Sequence, residues 1–464
     1  MSTMEPPNIL SSIPYKQSPF NPEELNLTHY CISSLLSIPW NDISVTGFEY
    51  LAKKYRLDVF SDTSNPNEVL LSLAGKIILI DVIIPTHGTY RDIKIALAFA
   101  DATGEQYKNT TAEEILQSAI HENNTTLLER NVALLAMLDR CSPSVQQSCF
   151  QYLETLKSTF NIIYNSRLKN QDSENEMELI MSTEGKPLND NDGNLGLQLA
   201  FWKYQNCLYN AKISMNELSL NYLPRTLYGS QLVAEIPLKT SGEVNWLPET
   251  NLTQIPATME LLFEDYHIVF PEFGVQALLN FLQIGDVNQS GNYLSYKTLL
   301  DLPNQTTAGY PSINKSHIIY LGGIDIPARS VHRIPYSHPR QILGIFQYVR
   351  QYLTLQTILE NVKPWSTKIT ATASLRLNLI MKQYPIIHIQ YQELNKLSNV
   401  DPVIAHIAVL PNGIVQLNSI ACGSTPTSED VALKIQKMLQ KTLNIGLVLE
   451  FAIPILFKNI QSTI

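Results

Sequence analysis

The sequence is short of charge. Only 16% of its 464 residues are Asp, Glu, Lys or Arg, well below the usual quarter. A surface so poor in charge must use Asn, Gln, Ser and Thr, or be covered by neighbours, and with 22 tyrosines this favours a subunit of something larger. There is no long basic run. The densest places, Lys53-Lys54 and Lys434 with Lys437 and Lys441, read as polar helix faces, and a net charge of −9 disfavours binding to a phosphate backbone. No nuclear import signal stands out. The five scattered cysteines (Cys31, Cys141, Cys149, Cys207 and Cys422) form no CxxC pair, so no zinc or redox motif is indicated. No signal-type apolar segment follows Met1, and Ile445 to Phe457, broken by Glu450 and Pro454, is too short to span a bilayer. The expectation is an intracellular, soluble protein without membrane contact. Glycosylation at sequons such as Asn109 to Thr111 is then not expected.

At 464 residues the chain is long enough for two or three cores. Pro6, Pro7, Pro14 and Pro19 describe an extended arm, and Pro22 opens a short helix with Leu25, Tyr30, Leu35 and Leu36. A helix from Thr46 to Leu57 carries Phe48, Leu51, Ala52 and Tyr55 on one stripe. Glu68 to Ala74 leads through Gly75-Lys76 into Ile77 to Ile84, an apolar strand expected to be covered on both faces. After a turn at Pro85 to Gly88, Ile93, Ile95, Leu97 and Phe99 alternate as the returning strand. Thr111 to Glu114 reads as a capping box. The helix it opens is followed by one with Leu127, Leu128, Val132, Leu135 and Leu138. A third, opened by Ser142-Pro143, buries Phe150, Leu153, Leu156 and Phe160.

Beyond the polar boundary at Lys169 to Glu178, short strands are expected at Leu179 to Ser182, Gly196 to Tyr204, Leu232 to Pro237 and Met259 to Phe263. A helix should run from Phe273 to Leu282, with Gly285 to Tyr293 and Pro303 to Ser316 exposed. His338-Pro339 opens a long helix to Val362, carrying Ile342, Ile345, Phe346, Val349, Leu353 and Leu359 inward. Strands follow at Lys368 to Leu379, Ile386 to Tyr391 and Val403 to Leu410. Pro411-Asn412-Gly413 makes a hairpin turn into Ile414 to Ala421, and Thr427 to Asp430 caps a last helix. The expected fold class is α+β, with helix-on-sheet regions at both ends, antiparallel hairpins and an irregular β-rich middle. The regions are 1–44 (arm and short helix), 45–170 (N-terminal α/β with helical extension), 171–335 (β-rich middle) and 336–464 (C-terminal helix-sheet-helix). The similar order of elements at the two ends is compatible with duplication or with coincidence.

No catalytic, cofactor-binding or metal-binding residue is assigned. Asp81, inside the most apolar strand, is the first suspect for an active acid. The expected role is instead a structural ion pair with Arg91 or Lys94 across a hairpin centred near His87. His332 and His338 have no usual metal-ligand spacing. Gly322-Gly323 lacks the rest of a dinucleotide loop, Gly75-Lys76 the rest of a phosphate loop, and no GxSxG, HExxH or kinase signature occurs. Ile32 to Leu36 and Leu355 to Leu359 approach a Leu-x-x-Leu-Leu box without matching it, and both fit a core stripe.

The run Leu71-Ser-Leu-Ala-Gly75-Lys76-Ile77-Ile78-Leu79-Ile80-Asp81-Val82, the returning Ile93 to Phe99, Arg56 to Phe60 before it and Leu138-Asp139-Arg140 after it resemble the N-terminal region of the Mediator subunit 1 family, particularly its fungal forms. The C-terminal order of long helix, sheet with glycine-turn hairpin and acid-capped helix is similar too. The resemblance implies a non-catalytic structural subunit of the nuclear Mediator co-activator, in its middle module. It also implies contacts with other subunits, such as 4, 7 and 9, and relay of activator signals to RNA polymerase II. Animal forms continue into a long tail bearing Leu-x-x-Leu-Leu boxes. This chain stops at Ile464, so direct nuclear-receptor recognition is not expected. The rival readings are an intracellular enzyme using Asp81 in a cleft and a free-standing adaptor.

Overall fold

Residues that alternate along three consecutive segments meet on one face of a sheet. In the computed structural model, which describes residues 43–100, 106–108, 110–142, 148–170, 176–188, 193–217, 227–228, 231–248, 253–254, 257–264, 266–284, 294–302, 305–310, 315–362, 373–393, 401–423, 425–449, 451–452 and 455, Leu71, Leu73, Ile80, Val82, Ile95 and Leu97 are all buried. They belong to an antiparallel meander of β1 (Asp58–Asp62), β2 (Glu68–Ala74), β3 (Ile78–Pro85), β4 (Lys94–Ala100) and β5 (Gln106–Lys108), paired in that order. Packed with that face in one core are α1 (Val45–Tyr55), α2 (Thr110–His121) and α3 (Thr125–Cys141), through Phe48, Leu51, Leu116, Ile120, Leu128 and Val132. Among the described residues, β3 is covered on one face only. Ile78, Ile80 and Val82 are buried while Leu79, Asp81 and Ile83 are partly exposed, because the sheet has its helices on a single side.

Polar side chains fit the helices to the sheet. Gln117 of α2 lies beside β4, its amide donating to Ile93 O at 2.7 Å and accepting from Ile95 N at 2.9 Å, so it acts as a short substitute for a neighbouring strand. The expected capping box at Thr111 does not form. The helix already includes Thr110 and Thr111, so Thr111 is not its cap, and Glu113, next to the expected Glu114, accepts from Leu97 N. Asn124 caps α3 by accepting from Leu127 N. Ser142 ends α3 and also reaches the next helix, α4 (Cys149–Asn170). Its hydroxyl donates to Leu138 O and accepts from Cys149 N. The expected Pro143 start lies outside the described residues, as do residues 1–42 with the arm and short helix.

The middle region departs further from expectation. The strand foreseen at Leu179 to Ser182 is a helix, α5 (Glu176–Ser182), whose C-terminal carbonyls are held by a distant arginine. β6 (Lys186–Leu188), β7 (Gln198–Tyr204) and β8 (Cys207–Glu217) join the strands Ala257–Leu262 and Arg333–Tyr336 in a five-stranded antiparallel sheet. β7 is buried on both faces from Leu199 to Trp202. α6 (Glu272–Leu282) forms as expected, followed by the short α7 (Tyr296–Leu299). Pro303 to Ser316 is not simply an exposed loop. Gln305–Tyr310 pairs antiparallel with Lys315–Gly322 at the edge of a seven-stranded sheet, and the expected exposure of residues 285–293 falls outside the described residues.

That sheet continues through Ala373–Met381, Pro385–Glu393, Val403–Val409, Val415–Cys422 and Thr425–Pro426. Its pairs are antiparallel except the one between Lys315–Gly322 and Ala373–Met381, where the chain crosses over by way of α8 (Gln341–Glu360). The turn at Pro411–Gly413 has Asn412 and Gly413 at positive φ, and a Cβ on Gly413 would collide with Thr354 of α8. α9 (Glu429–Thr442) lies on the Val415–Cys422 strand. Its N-cap is Ser428, without a side-chain bond, so the expected box at Thr427 is absent. Among the described residues, most of the buried apolar side chains from Ile43 to Ala452 form one contiguous cluster, with Ile163, Val233, Leu238 and Val244 forming a small second one.

Arg350 of α8 is fully buried and ties these parts together. It donates to Ile180 O at 2.9 Å, Thr183 O at 2.6 Å, Phe201 O at 2.8 Å and Asn412 Oδ1 at 2.9 Å. Burial pulls its pKa down to about 9, the Glu184 carboxylate opposes that shift, and at neutral pH the guanidinium keeps its proton. Arg350→Met would strand three buried carbonyls, so we expect a loss of about 3 kcal/mol or more. Arg350→Lys should fall between, since an ammonium cannot reach four acceptors with fork geometry. Calorimetric melting of the full chain checks both, and an unchanged melting temperature for Arg350→Met would contradict the assignment.

Candidate interaction surface

The turn between β2 and β3 has consecutive backbone N–H groups that point away from the ladder and need acceptors. Asp139, near the end of α3 and 3% exposed, supplies them. Its Oδ2 accepts from Lys76 N at 2.8 Å, and its Oδ1 accepts from Ile77 N at 2.7 Å and Ile78 N at 3.1 Å. Gly75 permits the approach, because a Cβ there would lie 2.5 Å from Asp139 Oδ2 and 2.6 Å from Ile78 Cγ2. Lys76 Nζ donates to Ser142 O at 2.7 Å, and Arg140 donates to Tyr55 O at 2.9 Å. The Gly-Lys-Ile-Ile and Leu-Asp-Arg segments, about sixty residues apart, are therefore two halves of one clasp. It sets the position of β3, and with it Asp81.

Asp81 has neither expected partner. It faces Ser72 on β2 and Ala96 on β4, while Lys94 stands opposite Ile83. The 3₁₀ turn Tyr90–Asp92, held by Thr89 N donating to Asp92 Oδ2, lengthens the hairpin and shifts its register away from a centre at His87. Ser72 Oγ donates to Asp81 Oδ1, so the carboxylate sits in a part-buried hydrogen bond on the sheet's uncovered face. This is a surface feature, and the enzyme reading built on it is not favoured.

The other candidates take structural positions. His332 and His338 do not converge on a ligand. His332 Nε2 lies 3.1 Å from His267 Nδ1, whereas His338 accepts from Arg340 N and packs edge-on against Trp246. Among the described residues, no group of three or more His, Cys, Asp or Glu is placed to hold a metal ion. Gly323, at φ 68°, lies against Leu379 O at the end of its strand. Leu355, Ile358 and Leu359 are core, while Ile32 to Leu36 lie outside the described residues.

The outer face of the C-terminal sheet is also partly open. Tyr320 and Arg376 stack there at 5.8 Å. His388 Nδ1 lies 2.8 Å from His406 Nε2, and His406 Nδ1 lies 2.8 Å from Ser419 Oγ. Burial first, then the charge of His388, hold His406 below the ordinary histidine value, and burial and then His267 do the same at His332.

Comparison with known proteins bears on both ends of the chain. The family model "Mediator of RNA polymerase II transcription subunit 1" matches residues 31–236 and 276–363. The protein of that name from Schizosaccharomyces pombe (strain 972 / ATCC 24843) is 46% identical over 448 residues, covering 96% of this chain and 98% of the relative. The chain belongs to the Mediator subunit 1 family. In this member, the motifs that carry the likeness in sequence are the ones that meet at the Asp139 clasp. The match also spans most of α6 and all of α8, including Arg350, which sequence reasoning passed over. A signal was present. Asp139 and Arg350 are lone charges at inward positions of apolar helical stripes, where only a paired group can remain.

Two outcomes are expected. Asp139→Ala and Gly75→Ala each destabilise the chain by about 2 kcal/mol or more. The double variant loses at least about 1 kcal/mol less than the sum, because both break one contact. Additive losses in calorimetric melting would contradict the clasp. The second outcome concerns pH. A histidine whose folded pKa is depressed gives stability that is present above its unfolded value, about 6.5, and lost as pH falls through the folded one. The melting temperature should therefore fall on acidification from about pH 7.5 to 5.5, less steeply in His332→Gln/His406→Gln. An equal slope would exclude the two histidines as contributors.

Proposed function

We propose that the chain works as a non-catalytic structural subunit of the Mediator co-activator in RNA polymerase II transcription. Its place is the nucleus and the middle module, with neighbours such as subunits 4, 7 and 9. It relays activator signals through protein contacts, without touching nucleic acid. The observation that carries this reading is the 46% identity, over nearly the full length of both chains, to the S. pombe Mediator subunit 1. The physical features agree with it. The conspicuous acid, Asp81, lies on an open sheet face beside Ser72, and the deeply buried charges Asp139 and Arg350 are occupied in joining elements. A rigid core presenting surfaces to neighbours is the arrangement a scaffold requires. The regions divided near residues 44, 170 and 335 are proposed as contact units of that scaffold.

Affinity purification of the chromosomally tagged full chain under gentle salt, with partners identified by mass spectrometry, tests the reading. Stoichiometric recovery of middle-module subunits is expected. Recovery of the chain alone as a stable monomer would favour a free-standing adaptor and overturn the assignment.

A further inference from the structure

The register of the N-terminal sheet places three rows of residues on its uncovered face. One row runs Phe60, Ser72, Asp81, Ala96; the second, Asp62, Leu70, Ile83, Lys94; the third, Asp58, Ala74, Leu79, Ala98. Phe60 is 62% exposed, and Leu70, Leu79 and Ile83 are partly exposed on the same face, so the apolar groups form a patch. A solvent-facing strand face normally alternates toward Lys, Glu and Thr, so apolar residues on both faces of β2 and β3 mark a face that is covered when the protein works. The charges on it are uneven. Asp58 and Asp62 stand at the β1 edge, Asp81 at the centre, and Lys94 at the far side. Asp81 has Ser72 as hydrogen-bond partner, and the carboxylate's other oxygen is available to a cation arriving from outside.

We infer that this face docks a neighbouring Mediator subunit, one that sets a lysine or arginine on Asp81 within a ring of apolar side chains. The inference rests on the function proposed above. Charge complementarity selects the occupant: apolar contacts meet Phe60, Leu79 and Ile83, and basic groups meet Asp81 and the Asp58–Asp62 edge. An acidic partner is repelled from the centre and that edge. Five strands about 4.8 Å apart and about seven residues long make a face on the order of 400 Å². That is about half of one partner's share in a standard interface, so the partner's contact continues past the edge of the sheet. Aromatic anchors with apolar groups around them are a common feature of binding hot spots.

The test uses the tagged full chain in its natural complex. A photo-crosslinking p-benzoylphenylalanine replaces Phe60 or Ile83, and the adduct is sequenced. We expect an adduct with one Mediator subunit, at a segment containing Lys or Arg. Asp81→Lys should cut recovery of that subunit at least tenfold, with Asp81→Asn in between, while the melting temperature of the isolated chain stays within about 2 °C. Replacing the partner's basic residue by Glu should restore recovery with Asp81→Lys. Adducts confined to this chain, including residues 1–42, would mean that the face is covered internally and would overturn the inference. So would undiminished recovery with Asp81→Lys. If the unmodified chain recovers no Mediator subunit, the proposed function itself fails, and that outcome is separate from failure of the face alone.

Discussion

A cation with no water around it must be surrounded by oxygen, and much of this fold is arranged to do that for Arg350. The oxygens come from the end of α5, from the middle of β7 and from the turn after Val409, segments widely separated along the chain. The backbone carbonyls among them, at the end of α5 and within β7, would otherwise be stranded in the apolar interior, and the turn contributes the Asn412 side-chain oxygen. The seven residues of α5 would not hold as a helix alone. With a guanidinium on its last carbonyls, the favourable end of the helix dipole is supplied from outside. Phe346 stacks on Phe201 at 4.6 Å next to it, so the same turn of α8 joins the middle sheet by apolar contact as well. The far ends of these elements are joined in a similar way. Tyr204 donates to Thr442 O and accepts from Asn361, which also donates to Leu443 O.

The N-terminal sheet was legible because its inward residues alternate without interruption, and the long helix because its stripe keeps a helical period for five turns. The failures have specific causes. Leu179-Ile180-Met181 is too short an apolar run to separate helix from strand by pattern, and the group that decides it is Arg350, about 170 residues later. Gln305–Tyr310 is rich in Gln and Thr, so an edge strand looked like a loop. The hairpin register was misjudged because nothing in Thr89 to Asp92 announced a 3₁₀ turn. The absence of a salt bridge at Asp81 follows from that shift. The role of the buried charges is hidden because, apart from Asn412, their partners are backbone atoms, which leave no trace in residue type.

The two ends of the molecule use sheets differently. The C-terminal sheet packs α8 and α9 on one side and turns a mixed face outward, with His388, His406, Asn378 and Gln390 in its rows beside the partly exposed Ile380, Ile386 and Ile404. The N-terminal sheet turns out Phe60, Leu79 and Ile83 around a carboxylate. Polar and apolar rows alternate on the first, whereas on the second Phe60, at 62% exposure, is the most outward large apolar side chain.

The spacing of the Asp139 clasp sets an order of events during synthesis. The N–H groups of Lys76, Ile77 and Ile78 wait about sixty residues for their acceptor, on the order of 3–12 s at ordinary elongation rates. The carbonyls of Ile180 and Phe201 wait about 150–170 residues for Arg350, roughly 8–35 s. The N-terminal sheet can thus close while the middle strands are still emerging with their carbonyls unmet. For that interval the nascent chain is a finished sheet attached to an unfinished core, with the uncovered face already formed and able to meet a partner before translation ends.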